Sequence, residues 1–318
     1  SKQGWDVEEM GLFGAPEFPV FIGADAHSAP LAGLRYAGLG AGRAIRVATD
    51  DEGRILPEAM ARDLDKIDAP PLVILQAGQI NTGAFDPFSE IVPMVHEKGG
   101  WVHVDGAFGL WLAAVPELAP RLAGVAGADS WAVDLHKWLN APFDAGLCIV
   151  RDRAALVRSM SARGAYLPTT LDAVEPTDTT LELSRRARGV PSYAILRSLG
   201  RSGVRSMIAR HCALAGRLAA TLVAEPGIGV LNAVVSNQVA VVIGEGTEGN
   251  ALTRAVLSRV QARGRVYPSH GEWRGRDIIR CSIIGYAMTE AEIDLLAEEI
   301  IHAARAETAT MVPDGGVA

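Results

Sequence analysis

The sequence predicts an α/β protein organised around a mostly parallel sheet, and three observations carry that prediction. Short apolar runs of strand length alternate along the chain with longer segments of helical periodicity. Two of the runs, WVHVDGAF at 101–108 and WAVDLHKWLN at 131–140, each deliver a charged residue, Asp105 or Lys137, where a buried strand should stop. At 318 residues and 49% hydrophobic, the chain can bury one large core and a smaller one.

Taken in order, 18–23 reads as a strand, and Ala24-Asp25-Ala26-His27-Ser28 leads from it into a helix ending near Ala37, with Ser28 as a possible cap. A short strand at 44–48 precedes a helix at 57–67 that carries Pro57 in its first turn. A buried strand at 71–77 opens onto the loop 78–86 (GQINTGAFD), at the carboxyl end of a parallel strand, where open α/β sheets gather ligands. A helix at 87–97 leads into the strand of Asp105, and the strand beginning at Ser130 leads to Lys137. The run 146–150 reads as a return strand, so Lys137 falls on a loop between two strands. After a helix at 151–163, residues 164–180 lack periodicity and read as a mobile loop or lid.

A helical stretch at 191–224, interrupted near Gly200 and Gly203, joins the large domain to the small one. There, strands are expected at 228–231, 238–243, 265–267 and 278–284, with helices at 250–263 and 290–304. The resulting division is a large domain at 1–190, a connection at 191–225, a small domain at 226–305 and a disordered tail at 306–318.

Composition narrows the class. No apolar run is long enough to cross a bilayer and no charged-then-apolar leader opens the chain, which makes a cytoplasmic protein the expectation. Cys148, Cys212 and Cys281 have no paired spacing and read as reduced thiols in or near the core. A net charge of −7 with no basic cluster argues against nucleic acid, and no metal site is expected.

Lys137 is one of four lysines, and the only one set among tryptophan, leucine and histidine. An amine that loses hydration there becomes a nucleophile able to form a Schiff base; the segment alone reads equally as a lysine snorkelling from a core edge. Asp105, flanked by Gly106 and Ala107, shifts the balance, because a carboxylate at a strand end is what pyridoxal phosphate (PLP) enzymes set against the pyridinium nitrogen. His103 lies two residues before Asp105 and shares its face, where it either orients the carboxylate or fills core.

His136-Lys137-Trp138, preceded by Ala128-Asp129-Ser130 and by His103-Val104-Asp105-Gly106-Ala107, resembles the PLP-dependent group II amino acid decarboxylases, the family of the aromatic amino acid and glutamate decarboxylases. The likeness runs from about residue 4 to about 304 and is closest to the bacterial branch. It implies PLP-dependent fold type I, the aspartate aminotransferase-like architecture, with a large domain and a small C-terminal one. Lys137 would bind the cofactor aldehyde, Asp105 the ring nitrogen, and His27 would stack on the ring, with the Ala107 methyl on the opposite face. Without the family, His27 reads as a structural residue at a helix start. Thr82 would sit near the phenolic oxygen or the substrate carboxylate, or be a turn hydroxyl bonding its own backbone. His136 would contact phosphate or substrate, and Ser130 is grouped with the cofactor-binding residues. Arg280 is a candidate grip for the substrate carboxylate or a surface arginine.

The resemblance has departures. The Gly/Ser-rich, phosphate-receiving turn that the family carries ahead of 4–16 lies outside this sequence, so a companion polypeptide supplying it, or a fragment or degenerate copy, is expected. Threonines stand where many members carry a tyrosine ahead of Ser184-Arg185-Arg186-Ala187-Arg188, and Tyr166 lies further upstream. Gly285-Tyr286-Ala287-Met288 stands where an Asn-Trp-Arg-Thr run is common. The leading expectation is a carboxy-lyase acting on an L-amino acid as a homodimer. A PLP aminotransferase or oxidative deaminase, and a catalytically idle subunit, are the alternatives.

Overall fold

The computed structural model describes residues 4–160 and 176–311. A short helix α1 (Val7–Met10) is capped by Asp6, whose carboxylate accepts the N–H groups of Glu8 and Glu9. Strand β1 (Val20–Gly23), helix α2 (Ser28–Tyr36), strand β2 (Ile45–Val47), helix α3 (Pro57–Leu64), strand β3 (Leu72–Gln76), helix α4 (Phe88–Glu97), strand β4 (Trp101–Asp105), strand β5 (Ser130–Asp134), strand β6 (Gly146–Val150) and helix α5 (Arg153–Met160) follow. The strands form one six-stranded sheet in the order β2-β1-β3-β4-β5-β6. Its first five strands run parallel, and β6 returns antiparallel along β5 as an exposed edge. Most of the expected loop at 164–180 lies outside the described residues.

Apolar alternation explains the core. Val73 and Leu75 of β3 and Val102 and Val104 of β4 point to one face and pack with Ile91 and Val95 of α4, all fully buried. The loop after β3 is pinned from beneath by Asp86. Its carboxylate accepts the N–H groups of Ile55 at 2.8 Å and Gln76 at 2.6 Å, while burial pushes its pKa up to about 7 against those bonds.

Helix α6 (Gly189–Val223) kinks at Gly200, whose φ of 61° and ψ of 179° break the helical run where the sequence places an interruption. Beyond the kink its apolar stripe changes core. Val204, Met207 and Ile208 pack into the large-sheet core, and Leu214, Ala215, Leu218 and Leu222 into a second one, all at helical spacing. That second core is built with strands β7 (Ile228–Val230) and β8 (Gln238–Ile243), helix α7 (Gly246–Arg263), strand β10 (Arg276–Ser282) and helix α8 (Glu290–Met311), while Trp273 of strand β9 (Ser269–Trp273) packs with Ala240, Val242 and Ile278. The second sheet is antiparallel, in the order β7-β8-β10-β9.

Three expectations need correction. The strand anticipated at 265–267 lies instead at β9, in a hairpin with β10 that turns at Arg274-Gly275, both with positive φ. Residues 306–311, expected to be disordered, continue α8 because Ala303 and Ala304 keep it packed on the core. Cys148 is exposed on β6, while Cys281 is buried; all three cysteines are free.

The two sheets meet through the loop after β3. Asn232 Nδ2 donates to the Thr82 carbonyl at 2.8 Å, Ser236 Oγ to the Gly83 carbonyl at 3.1 Å, and Asn81 Nδ2 to the Glu272 carbonyl at 3.0 Å. Gly83 sits at φ 73°, and a Cβ there would lie 2.0 Å from Ser236 Oγ, so both conformation and contact require glycine. On the other side, Asn140 Nδ2 donates to the Ile284 carbonyl at 2.8 Å.

Candidate active site

Because β1, β3, β4 and β5 run parallel, their carboxyl ends emerge at one edge of the sheet, and the second sheet covers that edge. Between them lies a cleft of about 540 Å³. His27 after β1, Gln76 at the end of β3, Asp105 and Ala107 at the end of β4, and Lys137 after β5 line it from the large sheet. Arg280 of β10 lines it from the other side. Five residues singled out from the sequence, spread over more than 250 positions, therefore share one cavity: His27, Asp105, Ala107, Lys137 and Arg280.

Each is held by local structure. Asp105 is the register partner of Gln76 on β3 and Ala132 on β5, and its Oδ1 accepts the Ala107 N–H at 3.2 Å. Gly78 allows close passage of the loop, since at φ 103° a Cβ would meet the Phe108 ring at 2.8 Å. Phe108 itself is buried and forms part of the cleft wall. Lys137 is fixed by its neighbour: Trp138 is fully buried and donates Nε1–H to His211 Nδ1 at 2.8 Å. This places Trp138 in the core rather than in a substrate pocket. Burial draws the pKa of His211 down to about 4, so the ring is neutral and free to accept.

The setting of Lys137 differs from the desolvated amine that its apolar neighbours in sequence suggested. Its side chain is 40% exposed, and Nζ lies 2.9 Å from Asp134 Oδ2, because Trp138 and Leu139 turn inward while Lys137 turns toward the cleft. His27, not Ser28, caps α2: its Nδ1 accepts the Ala29 N–H at 3.1 Å, leaving the proton on Nε2, and its backbone N–H donates to Gln76 Oε1 at 3.3 Å. Arg280 donates Nε–H to Ser269 Oγ at 3.1 Å, and partial burial pulls it below an ordinary arginine.

Three other candidates lie off the cleft lining. Thr82 is fully buried, donates to the Glu52 carbonyl at 2.6 Å and accepts the Ala84 N–H, so it serves the turn; Gly78 and Ile80 are the residues of this loop that line the cleft. Ser130 sits at the opposite, amino end of β5, where its Oγ accepts Trp101 Nε1–H and meets His103 Nδ1, both at 2.8 Å. Burial lowers the His103 pKa against the raising effect of Asp105. His136 turns to the Ala145 carbonyl, 2.8 Å from its Nδ1, and stacks on Phe143 at 4.3 Å.

Two cleft-side groups were not picked out beforehand. Asp134 pairs with Lys137 three residues on, a spacing visible in the sequence. Gln76 is a polar residue closing an apolar strand, which is the one signal that could have found it. Its buried Nε2 has no hydrogen-bond partner.

An aromatic aldehyde cofactor with a ring nitrogen fits this donor set. Lys137 would supply the amine, Asp105 the carboxylate for the nitrogen, and His27 and Ala107 flat and small groups for the faces, while Gln76 has a buried donor that the protein leaves unmatched. Among the described residues no group of three or more His, Cys, Asp or Glu is placed to hold a metal ion, and no helix is long and apolar enough to cross a membrane.

Comparison with known proteins identifies the family. The family profile described as "Pyridoxal-dependent decarboxylase conserved domain" matches residues 8–242. The chain is 27% identical over 298 residues to phenylacetaldehyde synthase of Arabidopsis thaliana, covering 89% of this chain and 61% of that protein. It is 29% identical over 235 residues to an acidic amino acid decarboxylase of Xenopus tropicalis, covering 71% and 46%. The chain thus spans about half to three-fifths of the length of such relatives. Mouse CSAD in apo form superposes with a TM-score of 0.88 at 22% identity, covering 95% of this chain and 67% of that one. Oryza sativa TDC with PLP and tryptamine superposes at 0.87 and 21% identity, covering 94% and 64%. The fold is therefore fold type I of the PLP enzymes, as the resemblance implied, and the chain belongs to the pyridoxal-dependent decarboxylase family.

Proposed function

We propose that the protein is a PLP-dependent carboxy-lyase that removes the α-carboxylate of an L-amino acid. The observation that carries this reading is the convergence of His27, Asp105, Ala107, Lys137 and Arg280 on one cleft. When bound, PLP supplies an electron sink conjugated to the amino acid Cα. Lys137 Nζ, 2.9 Å from Asp134, would provide the attachment amine. Asp105 would hold a proton on the ring nitrogen, His27 and Ala107 would confine the two ring faces, and Arg280 would grip the substrate carboxylate from the small-domain side.

The test is an absorbance scan of purified protein with added PLP, then borohydride reduction and peptide mapping. Label on Lys137 is expected; label on another lysine, or none, defeats the assignment. Carbon dioxide measured against keto acid and aldehyde then separates the lyase from the aminotransferase and oxidative deaminase readings.

The assembly we propose is a homodimer in the cytoplasm, with the phosphate-receiving segment supplied from outside this sequence. Large apolar side chains left exposed support a partner: Phe143 is 75% exposed, Leu181 85% and Tyr193 66%. Free cysteines suit a reducing compartment.

A further inference from the structure

Gln76 is 3% exposed, lines the cleft, and keeps its side-chain Nε2 without a partner. Its placement is tightly determined. The backbone N–H donates to Asp86 Oδ2 at 2.6 Å and the carbonyl accepts the Asp86 N–H at 3.0 Å. The side-chain Oε1 accepts the His27 N–H, so exchanging the amide oxygen and nitrogen would set two donors against each other. The unmatched N–H₂ therefore belongs to the structure. Register partners on adjacent parallel strands carry side chains to the same face, which sets Gln76 beside Asp105. One side chain thus steadies the backbone at His27 while presenting an unused donor next to the carboxylate that meets the ring nitrogen.

We propose that Gln76 is a cofactor-binding residue whose Nε2–H donates to the ring hydroxyl oxygen of PLP. This rests on the cofactor reading above. The ring offers two acceptor groups, the hydroxyl oxygen and the phosphate. A phosphate dianion needs several donors or a cation, and a single uncharged amide beside a carboxylate supplies neither. One uncharged donor suits one phenolic oxygen. The family likeness carries no such assignment: it set Thr82 near that oxygen or the substrate carboxylate, and the fold uses Thr82 in the turn and the domain juncture.

The experiment titrates the chain with PLP and with 3-deoxypyridoxal 5′-phosphate, following absorbance and confirming attachment by borohydride trapping at Lys137. The unsubstituted protein is expected to prefer PLP by about tenfold, the worth of one well-made hydrogen bond. In Gln76→Met, which keeps the length and loses both polar atoms, the two affinities should converge to within about twofold. Gln76→Glu keeps an acceptor for the His27 N–H and sets a second oxygen where the donor was, which repels the ring oxygen, so it should abolish or reverse the preference and serves should the methionine variant fail to fold. Variants that bind both aldehydes more weakly yet keep the tenfold preference would overturn the inference and leave Gln76 acting only through His27. Equal affinity in the unsubstituted chain would overturn it as well. If the protein complete with its phosphate-receiving segment takes up neither aldehyde, the cofactor reading itself fails, and this inference with it.

Discussion

Asp105→Asn separates the proposed chemistry from the fold more cleanly than any other change. The carboxylate is half-buried at the end of β4, and Oδ1 accepts the Ala107 N–H at 3.2 Å. An asparagine carbonyl oxygen keeps that bond, and the shape is unchanged, so stability should move by less than about 1 kcal/mol. The reaction should suffer far more. A carboxylate beside a protonated ring nitrogen at hydrogen-bond separation is worth about 5 kcal/mol at an effective dielectric of about 20. Competition from water reduces that, leaving about 4 kcal/mol of barrier, or roughly a thousandfold in rate. The assay is carbon dioxide release at saturating amino acid, with borohydride trapping to show that Lys137 is loaded equally in both proteins and thermal unfolding to show that both are folded. A variant that keeps a rate within about tenfold of the parent would refute the role given to Asp105. So would a rate loss that merely follows a fall in loading.

Lys137→Ala should abolish borohydride labelling while changing the unfolding free energy by no more than about 1 kcal/mol, because the Lys137–Asp134 pair is 40% and 30% exposed; a large fall in denaturant midpoint would show that the lysine is structural. Gly83→Ala meets both a positive φ of 73° and Ser236 Oγ at the juncture, and should destabilise by about 2–4 kcal/mol, read as a midpoint shift in urea; a neutral result would mean the juncture yields. For pH, His211 has a folded pKa of about 4 against an ordinary 6.5, so the unfolded chain binds the proton more tightly. Its contribution is present above about pH 6.5 and is lost as pH falls toward 4, on the order of 3 kcal/mol. Asp86 slopes the other way: its folded pKa of about 7 exceeds the ordinary 3.8, so its contribution is present at low pH and lost as pH rises. The parent should therefore be nearly flat between pH 4 and 6.5, whereas His211→Gln, which keeps an acceptor for Trp138, should lose stability as pH rises; parallel curves would refute the assignment.

What could be read from the sequence is what strands impose. A buried run must end, and the residue at its end faces the sheet edge, so Asp105 and Lys137 could be paired before any fold was seen. The same logic gave β8 its bounds, since an unbroken apolar run buried on both faces has nowhere else to go. Loop residues gave no such constraint. Thr82 and His136 carry functional side chains at the right edge, but their orientation depends on contacts with Glu52 and with Ala145, which no spacing encodes. β9 was missed because Ser269–Trp273 is mostly polar, and its pairing with apolar β10 is a tertiary fact.

The misplaced threonine points to how the site and the fold depend on each other. The loop after β3 lines the cleft with Gly78 and Ile80, and within three residues it docks the second sheet through the Thr82 and Gly83 carbonyls. Asp86, at the same loop's end, fixes the backbone of Gln76, and Gln76 in turn holds His27. The cleft-lining groups at and beyond the ends of β1, β3 and β4 and the sheet that brings Arg280 are thus tied through one nine-residue segment, 78–86. A substitution there that shifts the juncture moves Arg280 relative to Lys137 without touching either. Losses of activity at these positions should therefore appear together with losses of stability, in contrast to Asp105 and Lys137, where the two are separable.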